Sequence, residues 1–298
     1  KLRADDLTPV EWEADPELEW CPPGHGDIYT ALLASGLLDA LLDKGYRYAM
    51  TANSDNLGAA PSARIAGWFA ASGAPYAPEM CRRTPADVKG GHLAVRKSDG
   101  RIILRDTAQT PEDQMHYFTD QFRHPFFHTN NLWFDLKVLR DTLADRGGIL
   151  GLPLIRNSKT VDPADSSSTP VIQLETAMGA AVEAFEGATA IEVPRSRFLP
   201  VKTTNDLLLV RSDVYEVDDD GLLQMVPDRA CTVSLDPRFY KKIQDFEARF
   251  PDGIPSIKDA QSLTVEGDWT FGADVVATGE ARVEAEGSPG RIADGTRI

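Results

Sequence analysis

Tyr46-Arg47-Tyr48-Ala49-Met50-Thr51-Ala52 runs without a break into Asn53-Ser54-Asp55-Asn56-Leu57-Gly58. The first seven residues read as a strand and the next six as a polar loop. Helical patterns lie on both sides. Ala31, Leu32, Leu33, Leu37, Leu38, Leu41 and Leu42 mark one helix with a broad apolar face, and Gly45 reads as its stop. A second helix is expected from about Pro61 to Ala71. Loop, helix, strand, polar loop, helix is the rhythm of an open α/β sheet, whose ligands sit beyond the carboxyl ends of its strands. Asn53 and Asp55 fall at that position.

Upstream lies Trp20-Cys21-Pro22-Pro23-Gly24-His25-Gly26-Asp27-Ile28-Tyr29-Thr30. Pro22 and Pro23 lock φ and give an extended approach. Gly24 and Gly26 bracket His25, so the backbone can turn tightly there. A loop of this kind opening a helix aims N–H groups and the positive dipole end at an anion. A proline-glycine turn carrying a surface histidine reads equally well on spacing alone.

Downstream, Gly91 to Lys97 and Arg101 to Arg105 form an expected hairpin closed by Ser98-Asp99-Gly100. Thr110-Pro111-Glu112-Asp113 is a helix start with proline and acids in the first turn. Phe126 to Trp133 encloses Thr129-Asn130-Asn131, and an amphipathic helix should run from Asp135 towards Asp145. Leu152 to Ile155 reads as a short strand and Asp162 to Thr169 as a mobile Ser/Asp-rich loop. A helix is expected over Val171 to Phe185, with Glu175 near its start.

The chain has 298 residues and a formal net charge of −15. Such acidity argues against wholesale binding to nucleic acid or anionic membrane, and no run of about 18 apolar residues suggests a spanning helix. An anionic ligand would need a local cluster of cations. Arg195, Arg197 and Lys202 supply one, just before a helix start at Thr204 to Asp206. Arg195 and Arg197 read as solvated cations paired with surface carboxylates. Lys202 differs, because Pro200-Val201 and a helix amino terminus flank it. Cys21, Cys81 and Cys231 are too scattered for a metal site and read as reduced cytoplasmic thiols.

The last segment keeps a period of six. Ile257, Leu263, Trp269, Val275 and Ala281 form one column; Val265, Phe271, Ala277 and Val283 form a second; Gly267, Ala273, Gly279 and Ala285 form a column of small residues. This hexapeptide pattern is the signature of a parallel β-helix. Two ordinary hairpins are the competing reading.

Together these blocks resemble the eukaryotic-type UDP-glucose pyrophosphorylase family. Its signature is similar to Trp20-Cys21-Pro22-Pro23-Gly24-His25-Gly26-Asp27-Ile28-Tyr29, and its metal and sugar-phosphate loop to Asn53-Ser54-Asp55-Asn56-Leu57-Gly58-Ala59. Ala86-Asp87-Val88-Lys89-Gly90-Gly91, Thr129-Asn130-Asn131-Leu132-Trp133, Gln173-Leu174-Glu175-Thr176-Ala177 and Arg197-Phe198-Leu199-Pro200-Val201-Lys202 are further similar blocks, in the family's order. The resemblance implies an α/β fold: an incomplete nucleotidyltransferase core, Rossmann-like with a mixed sheet, over 1–250. A short parallel, left-handed β-helix would follow over 251–298.

It also implies a reversible, Mg²⁺-dependent reaction of UTP with glucose 1-phosphate to give UDP-glucose and pyrophosphate. Lys202 would be the catalytic cation and touch the nucleotide, as would Gly24. His25, Asn53, Ser54, Asp55, Asn130 and Glu175 would bind the sugar phosphate, with Asp55 also the metal ligand. His25 reads as a donor rather than a base, because the attacking phosphate oxygen has no proton to lose. A homo-oligomer through the β-helix is a further expectation. The family's glycine-rich nucleotide loop, its following lysine and the uracil-reading glutamine have no counterpart in these residues and would lie ahead of Lys1. The chain therefore reads as cut from something longer, and as inactive alone.

Two other readings compete. UDP-N-acetylhexosamine pyrophosphorylases carry Gly-Asn-Gly-Gly where this chain has Gly24-His25-Gly26-Asp27. A non-catalytic sugar-nucleotide-binding or assembly subunit would use the β-helix for docking.

Overall fold

The computed structural model describes residues 1–84, 87–107 and 110–298. The chain folds as two compact units, one of Lys1–Ala52 with Pro61–Pro194 and one of Asn53–Ala60 with Arg195–Ile298.

In the first unit, β1 (Leu2–Arg3) precedes two short helices, α1 (Ile28–Ala34) and α2 (Leu37–Asp43). The leucine pattern suggested one helix; Gly36, at φ 72°, breaks it in two. Then come β2 (Tyr48–Thr51), α3 (Ala63–Ser72) and β3 (Tyr76–Arg82). The expected hairpin follows as β4 (His92–Val95) and β5 (Ile102–Arg105), paired antiparallel. A 3-10 turn and α4 (Met115–Phe118) lead into β6 (Phe126–Asp135) and α5 (Leu136–Asp145). The Asp135 carboxylate starts α5 by accepting the Lys137 and Val138 N–H groups, at 2.9 and 3.1 Å. The unit closes with β7 (Leu154–Thr160), β8 (Pro170–Thr176) and β9 (Ile191–Glu192).

Its main sheet is mixed, in the order β2-β6-β3-β9, with β9 parallel to β3 and the other pairs antiparallel. Tyr29, Leu38, Tyr76, Phe134, Leu139 and Leu143 are among the buried residues that pack in its core. The largest departure from expectation lies at Val171 to Phe185, where the structure has no α-helix. Residues 170–176 instead pair with all of β7, from Leu154↔Thr176 to Thr160↔Pro170, and Met178–Ala184 forms a 3-10 turn. An edge offering hydrogen bonds overrides a modest helical pattern.

In the second unit, α6 (Thr204–Arg211) is followed by the hairpin of β10 (Tyr215–Val217) and β11 (Leu223–Met225). Next come β12 (Thr232–Leu235), α7 (Pro237–Tyr240) and α8 (Ile243–Arg249). The hexad segment supplies β13 (Ala260–Val265), β14 (Trp269–Phe271), β15 (Gly279–Val283) and β16 (Gly290–Ile292). All its ladders are parallel: β12 on β13, β13 on β15 with Leu263 opposite Ala281, and β14 on β16 with Phe271 opposite Ile292. Ile257, Leu263, Val265, Phe271, Val275, Ala277, Ala281 and Val283 are all buried and Trp269 is half-buried against the same core, so both apolar columns face inward. Leu208, Val214, Tyr240 and Phe246 belong to the same core. The protein is thus mixed α/β with several sheets. Among the described residues no helix is long and apolar enough to cross a membrane.

Candidate functional site

In the first unit, the Gly24–Asp27 loop sits on the end of β8. Gly24 has φ 83°, and a Cβ on it would lie 2.5 Å from the Thr176 carbonyl oxygen and 2.9 Å from the Glu175 Cβ. A Cβ on Gly26 would collide with the Thr176 side chain. The Thr176 N–H donates to the Pro23 carbonyl at 2.9 Å. Both glycines are therefore required by close approach to the protein's own strand. Glu175, half-buried, lines a cleft of about 300 Å³ with Pro23, Gly26, Tyr29 and Leu152.

That seat brings His25 to the turn after β8. The Met178 N–H donates to His25 Nδ1 at 2.9 Å. With Nδ1 an acceptor, the neutral ring carries its proton on Nε2 and presents a donor. Burial lowers the His25 pKa from its usual value, against the opposing charges of Glu175 and Asp106, which keeps the ring neutral at pH 7. The Met178 carbonyl accepts from the hydroxyls of Tyr29 (2.9 Å) and Tyr76 (3.1 Å), both fully buried. Met178 is thus held from both ends.

The Thr129-Asn130-Asn131 motif divides between the two faces of β6, as alternation requires. On one face, Thr129 Oγ1 donates to the Glu79 carbonyl (2.8 Å), Asn131 Nδ2 to Glu79 Oε2 (3.0 Å) and Trp133 Nε1 to Glu79 Oε1 (2.9 Å). Glu79 has no solvent exposure. Asn130 has φ 65°, and the register against β3 shifts between Pro78 and Met80, so β6 bulges there. Bulges recur beside active sites because they re-aim side chains. Asn130 Oδ1 and His128 Cε1 lie 3.1 and 2.7 Å from the point where Gly179 would carry a Cβ. His25, Asn130 and His128 therefore gather at the Met178–Gly179 turn. Glu79 and His128 were not singled out from sequence; the available signals were a carboxylate within an otherwise apolar strand and a histidine two positions before Asn130.

In the block 86–91, Ala86 lies outside the described residues. The Thr84 N–H donates to the Asp87 carboxylate at 2.9 Å, and the Gly91 carbonyl accepts the His128 N–H at 2.7 Å. This block anchors the start of the β6 bulge.

In the second unit, the 53–60 loop is joined to residues 195–202. Asn56, 6% exposed, donates from Nδ2 to the Arg197 carbonyl at 3.1 Å. Its Oδ1 accepts the Leu199 N–H at 2.7 Å and the Gly58 N–H at 3.2 Å. The Leu57 N–H donates to Leu199 and the Val201 N–H to Asp55, at 3.0 and 2.8 Å. Arg197 donates from its guanidinium to the Ala60 carbonyl, and Arg195 stacks over the Phe198 ring. Asp55, Asn56 and Leu57 thus run alongside residues 199–201, just before Lys202.

The Lys202 and Thr203 N–H groups both donate to Asp206 Oδ2, at 3.0 and 2.8 Å, within a capping box that opens α6. This fixes the Lys202 backbone while its side chain stays exposed. Asp55 Oδ1 is buried and has no hydrogen-bond partner. Among the described residues no group of three or more His, Cys, Asp or Glu side chains could hold a metal. Any metal at Asp55 would draw its other ligands from phosphate oxygens and water.

The chain is a mixed α/β protein whose loops lie at strand and helix ends. The family model for UTP–glucose-1-phosphate uridylyltransferase matches residues 1–277. The UTP–glucose-1-phosphate uridylyltransferase of Solanum tuberosum is 40% identical over all of this chain, which spans 61% of that protein. The Saccharomyces cerevisiae protein of the same name is 41% identical over 94% of this chain, matching 55% of its own length. A Leishmania major UDP-glucose pyrophosphorylase variant, solved in complex with UDP-glucose, superposes with a TM-score of 0.87 at 45% identity. That match covers 99% of this chain and 65% of the Leishmania chain. The chain belongs to the UTP–glucose-1-phosphate uridylyltransferase family, and it spans about three fifths of the length of these relatives.

Proposed function

We propose that the protein transfers a uridylyl group between UTP and glucose 1-phosphate. A phosphate oxygen of the sugar phosphate forms a bond to the α-phosphorus of UTP. The bond from that phosphorus to the bridging oxygen breaks, and pyrophosphate leaves with the electron pair. The observation that carries this reading is the family match over residues 1–277, which includes the His25 loop and the Asn53 and Lys202 segments.

The chemistry suits these residues. Such a displacement depends on positioning and charge neutralisation and needs no general base for a proton-free nucleophile. His25 donates from Nε2 to the sugar phosphate, a role supported by its Nδ1 being occupied by the Met178 N–H. Lys202 is the catalytic cation and also contacts the nucleotide, as does the Gly24 backbone. Lysine is suited to this as a compact charge with three donors. Asn53, Ser54 and Asp55 hold the sugar phosphate, and Asn130 and Glu175 the hexose. Mg²⁺ fits Asp55, whose orphaned Oδ1 offers the hard oxygen this ion prefers. When bound it would neutralise phosphate charge.

The catalytic part is assigned to 1–250 and a hexapeptide coil to 251–298. Parallel ladders and inward-facing columns support the coil, which we assign as a left-handed β-helix and an assembly surface between copies in the cytoplasm. The test is UTP-dependent formation of UDP-glucose by the protein as the cell makes it, and by Lys202→Ala. Activity unchanged by Lys202→Ala overturns the catalytic assignment. Comparable turnover of N-acetylglucosamine 1-phosphate overturns the sugar assignment.

A further inference from the structure

His128 shares the geometry that makes His25 a donor. The Asn130 N–H donates to His128 Nδ1 at 3.1 Å, as the Met178 N–H does to His25. A backbone donor at Nδ1 leaves the neutral ring with its proton on Nε2. His128 Nε2 is buried and has no hydrogen-bond partner. A buried donor without an acceptor is costly, and native structures keep few of them without a reason.

The surroundings hold this orientation in place. Asn130 adopts φ 65°, a conformation that a non-glycine residue keeps only when its surroundings impose it. The Cε1 edge of the His128 ring lies against Gly179, whose missing side chain leaves the room. Gly179 follows Met178, so the two imidazoles flank one turn. Burial, with a smaller contribution from His25 where both rings would be protonated, holds the His128 pKa down at about 4. The ring is therefore neutral at pH 7, which suits an uncharged acceptor.

We propose that the Nε2–H of His128 is a specificity-determining donor to a hydroxyl oxygen of the hexose 1-phosphate bound at His25. This rests on the sugar-phosphate reading of that site. A buried group built to pair with a substrate hydroxyl rejects an analogue lacking it far more strongly than an apolar wall rejects a misfit. His128 thereby selects which hexose hydroxyl must be present.

The test is calorimetric binding of glucose 1-phosphate and its monodeoxy analogues to this chain and two variants. One analogue should bind the unaltered protein ~10-fold or more weakly than glucose 1-phosphate. His128→Leu should lose a similar factor for glucose 1-phosphate but nothing further for that analogue. His128→Asn, which keeps a side-chain N–H donor, should recover part of the discrimination. Nitrogen-15 spectra of the unaltered protein give a readout independent of variant folding: the Nε2–H tautomer, with its Nε2 proton shifting on addition of glucose 1-phosphate. Unchanged discrimination in His128→Leu, or an unmoved Nε2 proton in a protein that binds the sugar phosphate, overturns the inference alone. Failure of the unaltered protein to bind glucose 1-phosphate overturns it together with the reading beneath it.

Discussion

The backbone N–H of Met178 donates to Nδ1 of His25 across 2.9 Å, though the two residues lie far apart in sequence. The hydrogen bond fixes both the tautomer and the direction of the ring. Met178→Pro would remove the N–H, and the free Nδ1 could then compete for the proton. The expected outcome is a fall in glucose 1-phosphate affinity of ~10-fold, with nitrogen-15 spectra of His25 showing mixed tautomers. A single Nε2–H tautomer in Met178→Pro would show that something else orients the ring.

Gly24 is committed to its contact with β8, so even a methyl group there should be expensive. Gly24→Ala forces a Cβ towards the Thr176 carbonyl at a φ that alanine avoids. Overpacking and strain of this kind cost about 1–3 kcal/mol. Urea unfolding should move to lower midpoints by that amount. An unchanged midpoint would mean that the loop has another seat.

Asn56 donates to the Arg197 carbonyl and accepts from the Gly58 and Leu199 N–H groups, tying the 53–60 loop to residues 197–199. Asn56→Ala leaves half-buried backbone groups unsatisfied, at about 1–3 kcal/mol. Asn56→Asp keeps the acceptor contacts to Gly58 and Leu199 and loses the donor to Arg197. It should therefore fall between the alanine variant and the unaltered protein. The reverse order in thermal melts would refute this division.

On the role proposed for Lys202, the capping box separates stability from function. Asp206→Ala frees the Lys202 and Thr203 N–H groups and should cost about 1 kcal/mol, in line with other lost caps. Because the Lys202 backbone is released as well, UDP-glucose formation should fall by more than the lost folded fraction explains. An activity loss that merely tracks the folded fraction would leave Asp206 as a plain cap.

Two histidines, buried His92 and half-buried His128, give the first unit an acid limit. Burial holds His92 down at about 3 and His128 at about 4. Unfolded histidines titrate near 6.5, so between that pH and the folded values the unfolded chain binds more protons. Stability contributed by the neutral rings is present above about pH 6.5 and is lost as pH falls towards those values. Each can contribute a slope of up to about 1.4 kcal/mol per pH unit. Urea midpoints between pH 7.5 and 4.5 should fall, and should fall less steeply in His92→Phe. Parallel curves would refute the assignment.

Local signals were legible wherever the chain resolves its own geometry. The Ser98-Asp99-Gly100 hairpin, the helix start at Thr204 to Asp206 and the inward columns of the hexads all follow from neighbouring residues. Val171 to Phe185 did not, because its conformation depends on β7, a partner that no local pattern reveals. The candidate site divides in the same way. His25, Asp55 and Lys202 stand out by their motifs, whereas Glu79 and His128 matter through contacts made by folding. Within Thr129-Asn130-Asn131, sequence could not tell which asparagine is tied to Glu79. Strand alternation and the bulge decide it.

The Met178 carbonyl ends on Tyr29 and Tyr76, two hydroxyls fully inside the core. The stiffness of the His25 ring is thereby set at the depth of the molecule rather than in its own loop. Warming that loosens this tyrosine pair would let the ring wander while the sheet still stood. The His25 loop would then lose its aim before the protein lost its fold.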